Sequence, residues 1–445
     1  MEILNLIPSM GGFAWTLVAF VIALSIIVAV HEYGHYIVGR WSGIHAEVFS
    51  LGFGPVLYSR VDKRGTRWQL AALPFGGFVK FLGDSDAASG KDGAAISALT
   101  DAERRRTMHG APLWARASTV LAGPVFNFIL SIAIFVGFYL VNGIATDQAI
   151  VGKLKSTPFV AQSLLPGDRI VALGGTDTPD LISFARATEG LPPASTADYT
   201  VERAGSLVDV KGPFPFPPLA DGVQPQSAAQ ESGLEPGDMI LAVDGRMIYA
   251  FSELRDIVGQ SDGKPLLLTI WRDGATFDAT LAPRRMDIPK RDGGFETRWL
   301  IGLTGSLVFE PESRIPGPIE VLQLGAEQTW NIAATSLSGL ASMVTGAISS
   351  CNLRGPIGIA ESSGAAASQG AASFILFIAM LSTAVGLINL FPIPVLDGGH
   401  LVFHAYEAIA GKPPSDGALR VLMGGGLALL LTLMVFALTN DFFCP

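Results

Sequence analysis

The chain has 445 residues, 49% of them apolar and only 16% charged, with a formal net charge of −9. That balance is too hydrophobic for one soluble globular domain, and the acidic excess argues against a nucleic-acid partner. Two cysteines, Cys351 and Cys444, exclude a disulfide framework or a cysteine-rich zinc site; they could pair in an oxidising compartment, but nothing local suggests it and both read as plain apolar residues.

The first element is an apolar run from Phe13 to Val38, whose first charged residue is Glu32. No Lys or Arg precedes Arg40, and the run exceeds a signal-peptide core, so it predicts a membrane span rather than a cleaved leader. Inside it stands His31-Glu32-Tyr33-Gly34-His35. On a helix, His31 and His35 lie one turn apart on the same face and can share one metal ion. Glu32 points to a different face, which suits a general base better than a ligand to the same metal. Ionisable side chains at membrane depth are costly and are functional by default.

Eleven Lys and Arg, from Arg40 to Arg116, mark the segment after this span as cytoplasmic. Thr66 to Phe81 is strand-like around a Pro74-Phe75-Gly76-Gly77 turn, and Ser85 to Ala98 reads as a flexible loop. Ala115 to Val141 predicts a second span, interrupted by Gly123-Pro124 and Asn127.

The segment after it contains an internal repeat. Leu165-Pro166-Gly167-Asp168-Arg169-Ile170 recurs as Glu235-Pro236-Gly237-Asp238-Met239-Ile240, and Thr200 to Gly205 matches Thr269 to Gly274. Each copy predicts a Pro-Gly turn, an apolar strand, a helical stretch and further strands. Both copies, Ser232 to Asp238 most plainly, resemble PDZ domains, joined at the Pro-rich Gly212 to Pro218. Such units bind extended peptides by strand addition, or serve only as spacers. Pro316 to Ser350 is helical in period but less apolar than a span, which fits a helix lying on the outer membrane surface.

Ala371 to Phe391 predicts a third span and Leu419 to Leu438 a fourth. The charge distribution puts both termini and the long segment between spans two and three outside the cytoplasm. His31 and His35 then sit in the cytoplasmic half of the bilayer.

Two histidines leave a zinc site incomplete, since a catalytic zinc takes three protein ligands and keeps an open position. Asp397 is the candidate third ligand, in Asn389-Leu390-Phe391-Pro392-Ile393-Pro394-Val395-Leu396-Asp397-Gly398-Gly399-His400. Pro392 and Pro394 break the third span there, and Gly398-Gly399 allow close backbone approach. His400 and His404, one turn apart, compete for the same role. Asn389 could donate a hydrogen bond to a substrate carbonyl or act as a helix-packing amide.

His31-Glu32-x-x-His35, Gly123-Pro124-x-x-Asn127 and the Asn389 to Gly399 element together resemble the site-2 protease family of intramembrane zinc metalloproteases. The similarity runs essentially end to end and includes Gly52-Phe53-Gly54, Leu73 to Lys80 and Asn352-Leu353-x-Gly355-Pro356-Ile357. The resemblance implies one Zn2+ per chain held by His31, His35 and Asp397, with Glu32 as catalytic base and Asn389 and His400 as substrate or transition-state contacts. It implies a membrane-re-entrant β loop at Phe75, Gly76, Gly77 and Phe78 that pairs with an unwound substrate. It implies substrates that are single-span membrane proteins, typically an anti-sigma factor already cut on its outer side, with signal-peptide remnants as a second class.

The expected protein is therefore a polytopic α-helical membrane protein of the bacterial inner membrane. It has four transmembrane helices, a membrane-associated β loop and two β-rich PDZ domains, the PDZ domains and both termini being periplasmic. The expected divisions are 1–41 (first span), 42–114 (cytoplasmic and β-loop region), 115–141 (second span), 142–212 and 213–288 (PDZ copies). Then follow 289–370 (linker and interfacial helix), 371–400 (third span with the Asp motif) and 401–445 (cytoplasmic loop, fourth span and tail). A peptide-binding scaffold with a structural metal is one rival, and Glu32 argues against it because a structural site needs no base. A metal or ion transporter is another, in which PDZ copies would have no role.

Overall fold

A computed structural model describes residues 6–84, 99–158, 163–224, 226–290 and 294–444. The expected flexible loop at Ser85 to Ala98 lies outside the described residues. The chain divides into two compact units. One comprises Met1–Gly137, Leu322–Ala341 and Ser350–Pro445, and the other Phe138–Val321 and Ser342–Ser349.

The first unit is helical. Its elements are α1 (Leu6–Trp41), the strands β1 (Ala46–Val61) and β2 (Arg67–Phe81), and α2 (Leu113–Asn142). They continue with α3 (Pro318–Val344), α4 (Pro356–Ser368), α5 (Ala371–Asn389), α6 (Asp397–Ala410) and α7 (Asp416–Phe443). Among the described residues four helices, α1, α2, α5 and α7, are long and apolar enough to cross a bilayer. Large apolar side chains such as Trp15, Ile129, Ile375 and Val435 are exposed on them, as lipid-facing positions require.

Glycines let these helices approach α2 closely. A Cβ at Gly34 of α1 would stand 2.5 Å from the Ala122 carbonyl, and one at Gly386 of α5 would stand 3.1 Å from that of Pro124. Hydroxyls tie the same surfaces together. Thr383 Oγ1 donates to Ser131 Oγ at 2.7 Å, and Thr329 Oγ1 of α3 reaches the same oxygen at 3.2 Å. The helix at 318–344 thus packs along the second membrane helix through Gly325 and Thr329.

The cysteines depart from expectation. Read as plain apolar residues, Cys351 and Cys444 instead form a disulfide, with Cα atoms 5.5 Å apart. They are 93 residues apart in sequence, so no local pattern announces the pair. Their meeting follows from the way the 350–357 turn docks on the end of α7. Asp441 accepts from the N–H groups of Gly355 and Ile357 at 2.7 and 3.0 Å, and Asn440 donates to the Ser350 carbonyl at 2.8 Å.

β1 and β2 are both long and bent. Ala46 to Leu51 pairs antiparallel with Phe81 to Gly77, and Val56 to Val61 with Ala71 to Arg67. Val48 to Leu51 also pairs with Arg67 to Leu70, so the bent hairpin forms a single sheet four strand segments wide. Its inner face, Phe49, Val79 and Phe81, buries against Tyr36 of α1 and Ala115 of α2.

The second unit contains two four-stranded sheets of identical order. In the first, the strands run Thr176–Asp177, Arg169–Leu173, Thr196–Arg203 and Ser206–Pro213. In the second they run Arg246–Met247, Met239–Val243, Leu266–Arg272 and Ala275–Leu281. Each packs one helix, Leu181–Gly190 or Phe251–Gly259, over an apolar core. The repeat extends to its ion pairs. Arg203 holds Asp168 through two hydrogen bonds of 2.7 Å, as Arg272 holds Asp238 at 2.6 and 2.8 Å.

Residues 303–311, read as part of a linker, return to both copies. Phe309–Pro311 pairs with Val151–Leu154, and Leu303–Gly305 with Ala220–Val223. These strands are only three residues long, too short to show an alternating pattern.

Candidate metal centre

His31 and His35 project from the middle of α1's last turns, one turn apart, as their spacing requires. Asp397 is the first residue of α6, directly after the broken segment that follows α5. That segment turns through two tight backbone hydrogen bonds, Ile393 to Phe391 and Leu396 to Ile393. Gly398 and Gly399 permit it. A Cβ at either position would stand 2.3 Å from a carbonyl oxygen of Leu390, Phe391 or Ile393.

These three side chains converge. Asp397 Oδ2 is 3.1 Å from His31 Nε2 and 3.5 Å from His35 Nε2, and the two Nε2 atoms are 3.2 Å apart. Among the described residues they are the one set of three with ligand atoms near enough to share an ion. Asp397 Oδ2 is buried and has no hydrogen-bond partner of acceptable geometry. Three donors aimed at one point, with a carboxylate oxygen otherwise unsatisfied, fit a divalent metal of the zinc type. Three ligands also leave a fourth position for a reactant.

His400 and His404 do not join this set. His404 lies in the next turn of α6, where burial and the positive charge of Arg116 lower its pKa from 6.5 to about 4. Asn389 closes α5, half-buried, and its side chain makes no hydrogen bond to a described residue. On the other side of α1, the Gly77 end of β2 runs past Glu32. A Cβ at Gly77 would stand 3.1 Å from Glu32 Cγ and 3.0 Å from Val28 Cγ1. Gly76 has φ +134°, and the ring of Phe78 stacks on that of Phe53 with centroids 6.0 Å apart. The side chain of Phe75 lies outside the described set.

Sequence reasoning assigned no site role to the helix behind the histidines. His35 Nδ1 donates to the Thr119 carbonyl at 2.8 Å, and the Asn127 amide stands 3.2 Å from His31 Nδ1. The signal was present in the interruption of the second apolar run by Gly123-Pro124 and Asn127.

Comparison with known proteins identifies the family of the chain as a whole. A sequence model of peptidase family M50 matches residues 19–433. A protein of Agrobacterium fabrum whose name marks it as a candidate zinc metalloprotease is 35% identical over 98% of this chain and 98% of its own length. The regulator of sigma-E protease RseP of Escherichia coli is 32% identical, over 97% of this chain and 99% of its own. RseP of Salmonella typhimurium is also 32% identical, over 96% of this chain and 98% of its own.

Proposed function

Because the chain belongs to peptidase family M50, the site-2 protease family of zinc metalloproteases, we propose that it hydrolyses peptide bonds within the membrane at His31, Glu32, His35 and Asp397. The observation that carries this reading is the convergence of His31 Nε2, His35 Nε2 and Asp397 Oδ2 on one point between α1 and α6. These three residues hold one Zn2+. When bound, the metal polarises the scissile carbonyl and makes water acidic enough to ionise near pH ~7.

Glu32 takes the proton from the attacking water and returns it to the leaving amine nitrogen. Asn389 donates to the carbonyl oxygen as charge develops there, and His400 contacts the same region. A helical substrate hides its peptide bonds in hydrogen bonds and has to unwind first. The strand at Phe75, Gly76, Gly77 and Phe78 pairs with the unwound segment, a reading supported by the closeness of Gly77 to Glu32.

The substrates are single-span membrane proteins, an anti-sigma factor after a first outer-side cut being the principal class and signal-peptide remnants a second. The relatives named regulator of sigma-E protease RseP support the first class. The two sheet-and-helix copies are PDZ domains at about 142–212 and 213–288 that screen substrates by size or by binding them. They and both termini face the periplasm, with the active site in the cytoplasmic half of the inner membrane. The Cys351–Cys444 disulfide supports that orientation, because such bonds persist in oxidising compartments.

The test is cleavage of a shortened single-span anti-sigma factor by the purified chain in detergent. Wild type is compared with Glu32→Gln and with chelator-treated enzyme. Loss of cleavage in both altered samples is expected. Undiminished cleavage by Glu32→Gln would remove the base role from Glu32, and no cleavage by wild type on such substrates would return the protein to the scaffold reading.

A further inference from the structure

One face of α2 backs both histidines. Thr119, Gly123 and Asn127 follow at four-residue intervals and so form a single stripe along that helix. The Thr119 carbonyl accepts a hydrogen bond from His35 Nδ1–H, which leaves Nε2 of the neutral ring with a free lone pair toward Asp397. Gly123 makes room. A Cβ there would stand 2.4 Å from His35 Nε2 and 2.8 Å from His31 Cε1. Asn127 is fully buried and supplies the polar contact at His31 Nδ1, at 3.2 Å.

The direction of that last contact decides whether His31 can bind a metal. With Nδ2 turned toward the ring, Nδ1 has to accept, and Asn127 Oδ1 is left buried without a partner. A neutral imidazole that accepts at Nδ1 carries its proton on Nε2, the atom facing His35 and Asp397. Such a ring cannot ligate through Nε2. With the amide turned over, Oδ1 accepts from Nδ1–H and Nε2 is free.

We infer that Asn127 is a positioning residue whose Oδ1 holds His31 in the Nδ1–H tautomer and fixes its ring, as the Thr119 carbonyl does for His35. This rests on the metal reading given above. The backbone carbonyl of Asn127 accepts from Ser382 Oγ at 2.9 Å, which also ties the residue to α5, the helix leading to Asp397. One residue of α2 is thereby linked to α1, which carries two of the ligands, and to α5, the helix that precedes the third. Partners that orient a ligating histidine are typically worth about 10–100-fold in metal affinity.

The experiment uses the full chain purified in detergent. Zinc affinity is measured by competition with a chromophoric chelator, and ligand geometry by the visible spectrum of the Co2+-loaded protein. The proteins are wild type, Asn127→Asp, Asn127→Leu and His31→Ala. Asn127→Asp keeps an acceptor at His31 Nδ1, so zinc affinity at or above wild type is expected with an unchanged Co2+ spectrum. Asn127→Leu removes the acceptor, and affinity is expected to fall about 10–100-fold. Wild-type affinity in Asn127→Leu overturns the inference. So does loss of zinc in Asn127→Asp, which decides alone where the Leu protein does not fold. Undiminished zinc binding by His31→Ala would instead overturn the ligand set itself, whatever the Asn127 variants do.

Discussion

Arg116 and Glu407 meet through two parallel hydrogen bonds, Nη1 to Oε2 at 2.9 Å and Nη2 to Oε1 at 2.6 Å. The pair joins the first turn of α2 to the last turn of α6, the helix that begins at Asp397. Both side chains are mostly buried, at 14% and 18% exposure. Arg116→Ala leaves Glu407 uncompensated and should cost about 2–3 kcal/mol, with a weaker zinc affinity as α6 loosens. Arg116→Lys keeps the charge but loses the fork, and should recover only part of that. Thermal melts in detergent and zinc titration check both.

Glu32→Gln should separate chemistry from metal binding. Peptide cleavage is expected to fall by about 10²-fold or more, while one zinc per chain is retained. Asp397→Asn should reduce both. Metal analysis on the same purified samples distinguishes the two outcomes.

Gly123 and Gly137 lie on the same helix but in different surroundings. At Gly123 a Cβ collides with both histidine rings, whereas at Gly137 nothing stands within 4 Å. Gly123→Ala should abolish zinc binding in a protein that still folds. Gly137→Ala should bind zinc normally and gain up to about 1 kcal/mol of helix stability.

The Asp168–Arg203 pair gives a pH dependence. Burial by itself would raise the Asp168 carboxyl, but Arg203 and the N–H of Leu165 outweigh it and hold its pKa below the usual carboxylate value. Its unfolded value is about 3.9, so its contribution to stability is complete above that pH. The contribution is lost as pH falls through the lower folded value. Asp168→Asn should therefore flatten the acid limb of the stability curve, measured by denaturant unfolding from pH 3 to pH 7.

Reduction of the Cys351–Cys444 bond removes the covalent tie between the 350–357 turn and the end of α7 and leaves the Asp441 and Asn440 hydrogen bonds in place. Loss of a link spanning 93 residues should cost about 2–4 kcal/mol. Cys351→Ser, Cys444→Ser and reductant-treated wild type should all melt at the same lowered temperature.

Much of the helical unit could be read directly, for physical reasons that also mark the limits. A bilayer demands about 20 apolar residues per span, so four spans stand out by length alone. His31 and His35 were legible because one helix sets their relation; Pro392 and Pro394 announce a break beside Asp397, but the family resemblance is what sets it above His400 and His404. What depends on the rotation of one helix against another left little trace. In the second apolar run only the interruption by Gly123-Pro124 and Asn127 marks a special face, and nothing adds Thr119 to it or says that this face meets α1. The Pro-Gly-Asp turns displayed the repeat, but the three-residue strands at 303–305 and 309–311 owe their place to partners far up the chain.

Those returning strands nest like brackets. Val151–Leu154 opens first and Ala220–Val223 second, then Leu303–Gly305 closes the second copy and Phe309–Pro311 the first. In a chain made from its N-terminus, the earlier copy is therefore the later one to finish. Val151–Leu154 waits for its partner while the whole second copy is being synthesised, and a ribosome halted soon after Leu281 would leave both copies unfinished.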